Sequence, residues 1–333
     1  MTNDQGNLRI IMMGTGPFAV PTFESLLESK HDVVVLVTRP LPKVRTRGKA
    51  PANPMREAAN AHGIEVLSPD DVNAEAARKQ LASLRPDLLV VCDYGQILSS
   101  ATLAIARLGG INLHGSVLPK YRGASPVHCA ILNGDEETGV TVIHMTPKLD
   151  GGPAIAVRTT PIGDDETTAE LEPRLSILGV EAVHESINLL AEWDGESPIG
   201  VVQDSSQVSR APCLKKSDGE VDWSHTAVAI RNQVRALKPW PGTFTEWQRP
   251  NGQVMRLILE EIVVAPSDAA DIAPGTVIAS DGKQLAVATG CGTISIRKIQ
   301  PAGKRVMEIE EFLRGYPIPV GARLGRSEDS PSS

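Results

Sequence analysis

Cysteine and aromatic residues are scarce in this chain, and no long apolar run interrupts it. Its 333 residues include four cysteines, Cys92, Cys129, Cys213 and Cys291, and only 3% aromatics. The cysteines lie far apart, with no CxxC pair and no histidine at zinc-ligand spacing, which argues for four reduced thiols, no disulfide framework and no metal. Apolar runs such as 10–13 and 262–265 fall far short of a membrane span. The first seven residues hold no basic stretch leading into an apolar one, so a cytoplasmic protein without a secretory signal is expected. A basic excess is lacking too: the net charge of −7 argues against a generally basic nucleic-acid-binding surface.

The charge is unevenly spread. From Cys213 onward Lys and Arg number 15 against 14 Asp and Glu, which leaves 18 against 26 before it. One stretch of the acidic part runs the other way. Arg39, Lys43, Arg45, Arg47, Lys49 and Arg56 put six cations into 18 residues free of Asp and Glu. Phosphate neutralisation by such residues supplies most sequence-independent affinity for RNA, and flexible basic segments often order on binding.

Short β-rich runs alternate with amphipathic stretches over the first part of the chain, the pattern of an α/β sheet that is mostly parallel with helices on both faces. Strands are expected at 8–13, 32–38, 65–67, 88–92, 111–114, 140–145 and 154–160. Helices are expected at 19–29, 55–62, 74–84, 101–108, 125–132 and 168–191. Residues 195–212, rich in Ser, Gly, Pro and Gln, read as an exposed linker. Beyond them come one helix at 226–237 and β-runs at 243–247, 254–264, 275–279, 285–288 and 293–300. Asn-Gly, Asp-Gly and Gly-Cys-Gly turns separate these runs, which suggests a small antiparallel barrel. The expected division is 1–194, linker 195–212, 213–325 and a disordered tail 326–333.

The chemistry concentrates in Ile111-Asn112-Leu113-His114-Gly115-Ser116-Val117-Leu118-Pro119 and, further on, Leu149-Asp150-Gly151. Asn112 and His114 alternate along a buried-looking strand, so a period of two sends both side chains to one face. They sit at the carboxyl end of a parallel strand, where open α/β sheets bind ligands. Asp150 follows the strand at 140–145 and is expected at a similar edge, beside two glycines that permit close backbone approach. An amide, an imidazole and a carboxylate together can stabilise a developing oxyanion and move a proton. Gly14-Thr15-Gly16-Pro17-Phe18-Ala19 loosely fits a dinucleotide fingerprint, but no ribose-binding acid follows strand two, and a plain tight turn is the better reading.

Asn112-x-His114, Ser116 to Pro119, Tyr121-Arg-Gly-Ala-Ser-Pro126, Glu137-Thr-Gly-Val-Thr141 and Leu149-Asp-Gly151 resemble the signature of the folate-dependent formyltransferases. That resemblance implies a Rossmann-like catalytic domain followed by an OB-like C-terminal domain. It implies 10-formyltetrahydrofolate as donor and a catalytic set of Asn112, His114 and Asp150. Ser116, Val117, Leu118 and Pro119 would line the donor site, with Asp93, Tyr94 and Gly95 at its pterin wall. Asp93 departs from the pattern, since the family usually has a small apolar residue before Tyr-Gly. Similarity continues through Ala211-Pro212, Asp222-Trp223 and Pro239-Trp-Pro241 to Gln300-Pro-Ala-Gly-Lys304, which points to initiator methionyl-tRNA as the acceptor and to a monomer. Arg39, Lys43, Arg45, Arg47 and Lys49, with Lys304 and Arg305 of the C-terminal barrel, would then contact tRNA. Formylation of an amino-sugar nucleotide by the same chemistry is the alternative.

Overall fold

The computed structural model describes residues 7–41, 53–265 and 272–325. They divide into two compact units, the first of the described residues within 1–127, 137–162 and 170–212, the second of those within 128–136, 163–169 and 213–333. No described helix is long and apolar enough to cross a membrane.

The strands of the first unit are β1 (Arg9–Gly14), β2 (Asp32–Val37), β3 (Val66–Leu67), β4 (Leu88–Cys92), β5 (Gly110–His114), β6 (Arg122–Gly123), β7 (Glu137–His144), β8 (Ala154–Pro161) and β9 (Arg210–Ala211). The helices between them are α1 (Val20–Leu27), α2 (Pro54–Ala61), α3 (Glu75–Ser83), α4 (Ser100–Leu103), α5 (Pro126–Leu132) and α6 (Thr168–Ala191). Seven of the strands form one sheet in the order β3-β2-β1-β4-β5-β7-β8. The first five are parallel. Their residues, such as Ile10, Ile11, Met12 and Met13 of β1 and Leu88 to Val90 of β4, are buried along both faces. Strands covered on both sides read as unbroken apolar runs, which is why this part of the sheet is legible in sequence.

The last two strands turn the sheet mixed. β7 runs antiparallel to β5, with His114 opposite Thr141 and Ile111 opposite His144, and β8 runs antiparallel to β7. The chain therefore leaves β7 at the edge of the sheet opposite to the one where His114 ends β5. Asp150 is not carried to the site by the end of its strand, as expected from sequence, but by the connection 145–153, which doubles back to His114. A β-rich stretch of eight residues holds no signal for direction, so sequence could not supply this.

Helix α4 ends at Leu103 rather than 108, because the amides of Ile105 and Ala106 bond to carbonyls three residues back. The short strands β6 and β9 pair in parallel, apart from the main sheet. Tyr121 N donates to Ser209 Oγ and Arg122 N to Ser209 O, which ties residues 209–211 to the chain just after His114.

In the second unit α7 (Ala227–Ala236) precedes β10 (Phe244–Gln248), β11 (Val254–Ala265), β12 (Val277–Ser280), β13 (Leu285–Ala288), β14 (Thr293–Pro301) and β15 (Met307–Glu308), and α8 (Ile309–Gly315) follows. The six strands form an antiparallel half-barrel in the order β10-β11-β14-β13-β12, with β15 on β14. Trp247, Leu257, Ile294, Ile296 and Phe312 lie in its core. Thr226 caps α7 by accepting from Ala229 N at 3.1 Å, a contact worth about 1 kcal/mol. Helix α8 was not expected. Its Ile309, Phe312 and Leu313 recur at helical spacing and are all buried.

Candidate active site

The sheet order reverses beside β1, so the chain leaves β1 and β4 in opposite directions and opens a crevice at their carboxyl ends. Two loops meet there. Thr15 N donates to Asp93 O at 3.0 Å, and Thr15 Oγ1 donates to Tyr94 O at 3.2 Å. Gly16 has no side chain because there is no room for one: a Cβ would stand 1.8 Å from Asp93 Oδ2. The carboxylate takes that space and accepts from the Gly16 amide. The glycine-rich turn therefore already holds an anion of the protein's own, which argues for the tight-turn reading over a dinucleotide fingerprint.

Asp93 sits in a recess that leaves part of its surface open to solvent while protein crowds the rest. Burial pushes its carboxyl up to about 6, against the pull of the Gly16 bond. Glu172 on α6 is raised as well, by burial first and by the charge of Asp93 second. Beside them Tyr94 is buried, and its hydroxyl finds no partner among the described residues. Burial pushes that phenol up to about 12, with Arg39 acting in the opposite sense.

A directed chain of hydrogen bonds runs from this wall into the protein. Asn53 Nδ2 donates to Thr38 Oγ1 at 3.0 Å, Thr38 Oγ1 to Thr15 Oγ1 at 3.4 Å, and Thr15 Oγ1 to Tyr94 O. Arg39 N also donates to Thr15 Oγ1, at 3.3 Å. Asn53 caps α2 through Arg56 N. Thr38 and Asn53 thus anchor the chain on either side of the basic segment.

The candidate catalytic residues gather at the end of β5. Leu113 faces Gly179 of α6, where a Cβ would come within 2.5 Å of its Cδ2, while Asn112 and His114 point to the other face. His114 is buried, and its Nε2 lies 2.9 Å from Tyr121 O. A carbonyl only accepts, so Nε2 carries the proton and Nδ1 is the nitrogen left for chemistry. Nδ1 stands 3.7 Å from Asp150 Oδ2, too far for a hydrogen bond. Asp150 Oδ2 accepts from Gly123 N at 2.8 Å instead. The Asn112 amide has no protein partner among the described residues. The imidazole and the carboxylate are thus each held by one bond with a side left free, and the amide is uncommitted.

Strain collects here. Among the described residues, the positive-φ positions other than glycine are Arg85, Asp93, Tyr121 and Asp150, and the last three belong to this site. Each costs on the order of 1 kcal/mol and persists only where surrounding bonds enforce it.

Residues 116–119 continue from the end of β5. Ser116 Oγ donates to Lys120 O at 2.7 Å, so its hydroxyl is already used. Thr141 of β7 donates to Ser116 O and accepts from Leu118 N, which fixes the loop to the sheet. Leu118 is buried, while Val117 and Pro119 keep some surface. Of the residues expected to meet tRNA, Arg39 is exposed near Gly95. Lys304 and Arg305 are exposed after β14, Arg305 paired with Glu311. Lys43, Arg45, Arg47 and Lys49 lie outside the described residues. The residue that sequence reasoning missed is Gln203, which bonds to Asp150 O, Gly152 O and Arg122. No local motif marks it.

A model of the formyl transferase family matches residues 7–187, and a model of the formyl transferase C-terminal domain matches 213–317. The methionyl-tRNA formyltransferase of Rhodopirellula baltica is 48% identical over 96% of this chain and 97% of its own length. That of Methylococcus capsulatus is 40% identical over 96% and 100%. Among solved structures, the sugar 3N-formyl transferase WlaRD, determined with dTDP and 5-N-formyl-THF, aligns over 90% of this chain and 99% of its own. Its TM-score is 0.61 at 17% identity, a likeness of fold. The chain belongs to the formyl transferase family, in its N-terminal and C-terminal domains alike, and within that family to the methionyl-tRNA formyltransferases.

Proposed function

We propose that the chain transfers the formyl group of 10-formyltetrahydrofolate to the α-amino group of methionine on initiator methionyl-tRNA, giving N-formylmethionyl-tRNA. The observation that carries this reading is the cluster at the end of β5: His114 fixed through Nε2 with Nδ1 left open, Asp150 fixed through Gly123 N beside it, and the uncommitted Asn112 amide two residues before His114 on the same strand face. The donor supplies an activated formyl carbon: a bond forms from it to the amine nitrogen, its bond to N10 breaks, the amine gives up a proton and N10 gains one.

The side chains divide that work. Asn112 donates to the formyl oxygen as it gains negative charge, a contact stronger in the transition state than before it. With Nε2–H held by Tyr121 O, His114 donates through Nδ1 when the ring carries both protons, and Asp150 nearby offsets that charge. His114 gives its proton to the departing nitrogen and Asp150 accepts the one from the amine. Passage of the proton from Asp150 back to Nδ1 restores the starting pair.

Asp93, Tyr94 and Gly95 form one wall of the donor pocket, and Ser116, Val117, Leu118 and Pro119 the other. The fit is chemical: the recessed Asp93 carboxylate suits the N–H groups of an aminopyrimidinone ring. Ser116 acts through its backbone, since its hydroxyl is committed to Lys120 O. Arg39, Lys43, Arg45, Arg47 and Lys49, with Lys304 and Arg305, contact tRNA phosphates.

Incubation with 10-formyltetrahydrofolate and charged initiator tRNA tests the reading. Formyl-methionine is expected, and His114→Ala or Asp150→Asn lowers the single-turnover rate by roughly 10²–10⁴-fold. Variants at near wild-type rate, or transfer to an amino-sugar nucleotide in place of tRNA, would overturn it.

A further inference from the structure

Residues 201–203 lie on the surface of the first unit, with Val201 and Val202 73% and 85% exposed, yet Gln203 turns inward. Its Nε2 donates to Asp150 O at 2.8 Å and to Gly152 O at 2.7 Å. Its Oε1 accepts from Arg122 Nε at 3.1 Å and Arg122 Nη2 at 2.6 Å. Both amide hydrogens and both lone pairs are therefore used, which is the full capacity of the group. The bonds fall on the two sides of Gly151, so the side chain spans the turn that presents Asp150.

That turn needs holding. Asp150 has φ +48, a conformation an L residue leaves unless its surroundings forbid it. The Gly123 amide fixes the carboxylate at one oxygen, but nothing in that bond fixes the backbone. Gln203 does so at the carbonyl of Asp150 itself. Arg122, the other partner of Gln203, follows Tyr121, whose carbonyl holds His114 Nε2. One side chain thus ties the strand that orients His114 to the turn that orients Asp150.

We infer that Gln203 is a positioning residue for formyl transfer: its amide locks the Asp150 turn against Arg122 and sets the distance between the carboxylate and His114. This inference rests on the proposed function. The segment does not depend on Gln203 for its attachment, because Val201 and Ala154 exchange backbone hydrogen bonds at 2.7 and 2.8 Å. Replacing the side chain loosens the turn and leaves the segment in place.

The test uses the full chain with Gln203→Met, which has no hydrogen-bonding amide, and Gln203→Glu, which still accepts from Arg122 but has no N–H for the two carbonyls. Single-turnover formyl transfer is measured with donor and tRNA saturating. Both variants are expected to slow transfer by roughly 10–100-fold, with KM for donor and tRNA changing by less than about threefold, since a small misplacement of a reacting group acts on the chemical step. In an Asp150→Asn background, where there is no carboxylate left to position, Gln203→Met is expected to lower the residual rate by less than about threefold. A merely structural role would lower both backgrounds alike. The inference is overturned by Gln203→Met at wild-type rate, by a loss confined to Gln203→Met and absent in Gln203→Glu, or by losses that multiply with Asp150→Asn. Should Gln203→Met fail to fold, Gln203→Glu decides between loss and retention of rate. Failure of the proposed function looks different: the unsubstituted protein itself would transfer no formyl group to methionyl-tRNA.

Discussion

The carboxylate of Asp93 rests on the backbone amide of Gly16, in space that exists only because Gly16 lacks a Cβ. The recess raises the carboxyl to about 6 from its usual 3.8. Between those values the folded protein holds a proton that the unfolded chain has lost, so stability falls as pH rises through the window, and the full penalty stands above it.

Asp93→Asn keeps an oxygen for the Gly16 amide and removes the charge. The variant is expected to be more stable than the parent at pH 7.5 by about 1 kcal/mol, a figure reduced from the pKa shift because solvent still reaches the group. The gain fades towards pH 4. Denaturant unfolding at both pH values checks it, and an advantage that does not change with pH would refute the assignment.

Gly16→Ala places a methyl group where Asp93 Oδ2 lies, and the carboxylate must move. The expected result is a donor KM raised by roughly tenfold, with tRNA KM little changed. Adding Asp93→Ala to Gly16→Ala relieves the clash, so the double variant resembles Asp93→Ala alone. Steady-state kinetics of the three variants would expose a simple sum of effects, which would disprove direct contact.

Thr38→Val cuts the hydrogen-bond chain between Asn53 and Tyr94 O at its midpoint. Asn53 then loses its acceptor in a buried setting and Thr15 a donor in a part-buried one, at a cost of roughly 1–3 kcal/mol, whereas Thr38→Ser is expected to retain most of the stability. Urea unfolding distinguishes them.

Replacing Lys43, Arg45, Arg47 and Lys49 together by alanine should raise the tRNA KM steeply while leaving the donor KM unchanged. Each phosphate contact contributes about 0.7–0.9 to the slope of log affinity against log salt, so the variant's slope should be shallower by about three. Equal slopes would show that the segment does not meet phosphate.

Asn112 and His114 were legible because a buried strand alternates its faces and the polar positions fall on one of them. The long helix α6 was legible over its whole length, and the turns of the half-barrel announced themselves through Gly and Asn. The direction of β7 was not, since a β-rich stretch pairs equally well either way, and with it went the route by which Asp150 reaches His114. Helix α8 is two turns long, and Ile309, Phe312 and Leu313 become a pattern only once a core is there to receive them. Gln203 lies 53 residues from Asp150 in a polar stretch. Its four bonds depend on a tertiary approach that no spacing encodes.

The pairing of β6 with β9 bears on how the protein comes into being. During synthesis the strand that holds Asn112 and His114 emerges first, then Asp150, then α6, and within the first unit the anchors at Ser209, Arg210 and Ala211 arrive last. A nascent chain with the whole seven-stranded sheet in hand still lacks the segment that fixes Tyr121 and Arg122. The candidate site is therefore finished at the very end of the first unit, after its scaffold already stands.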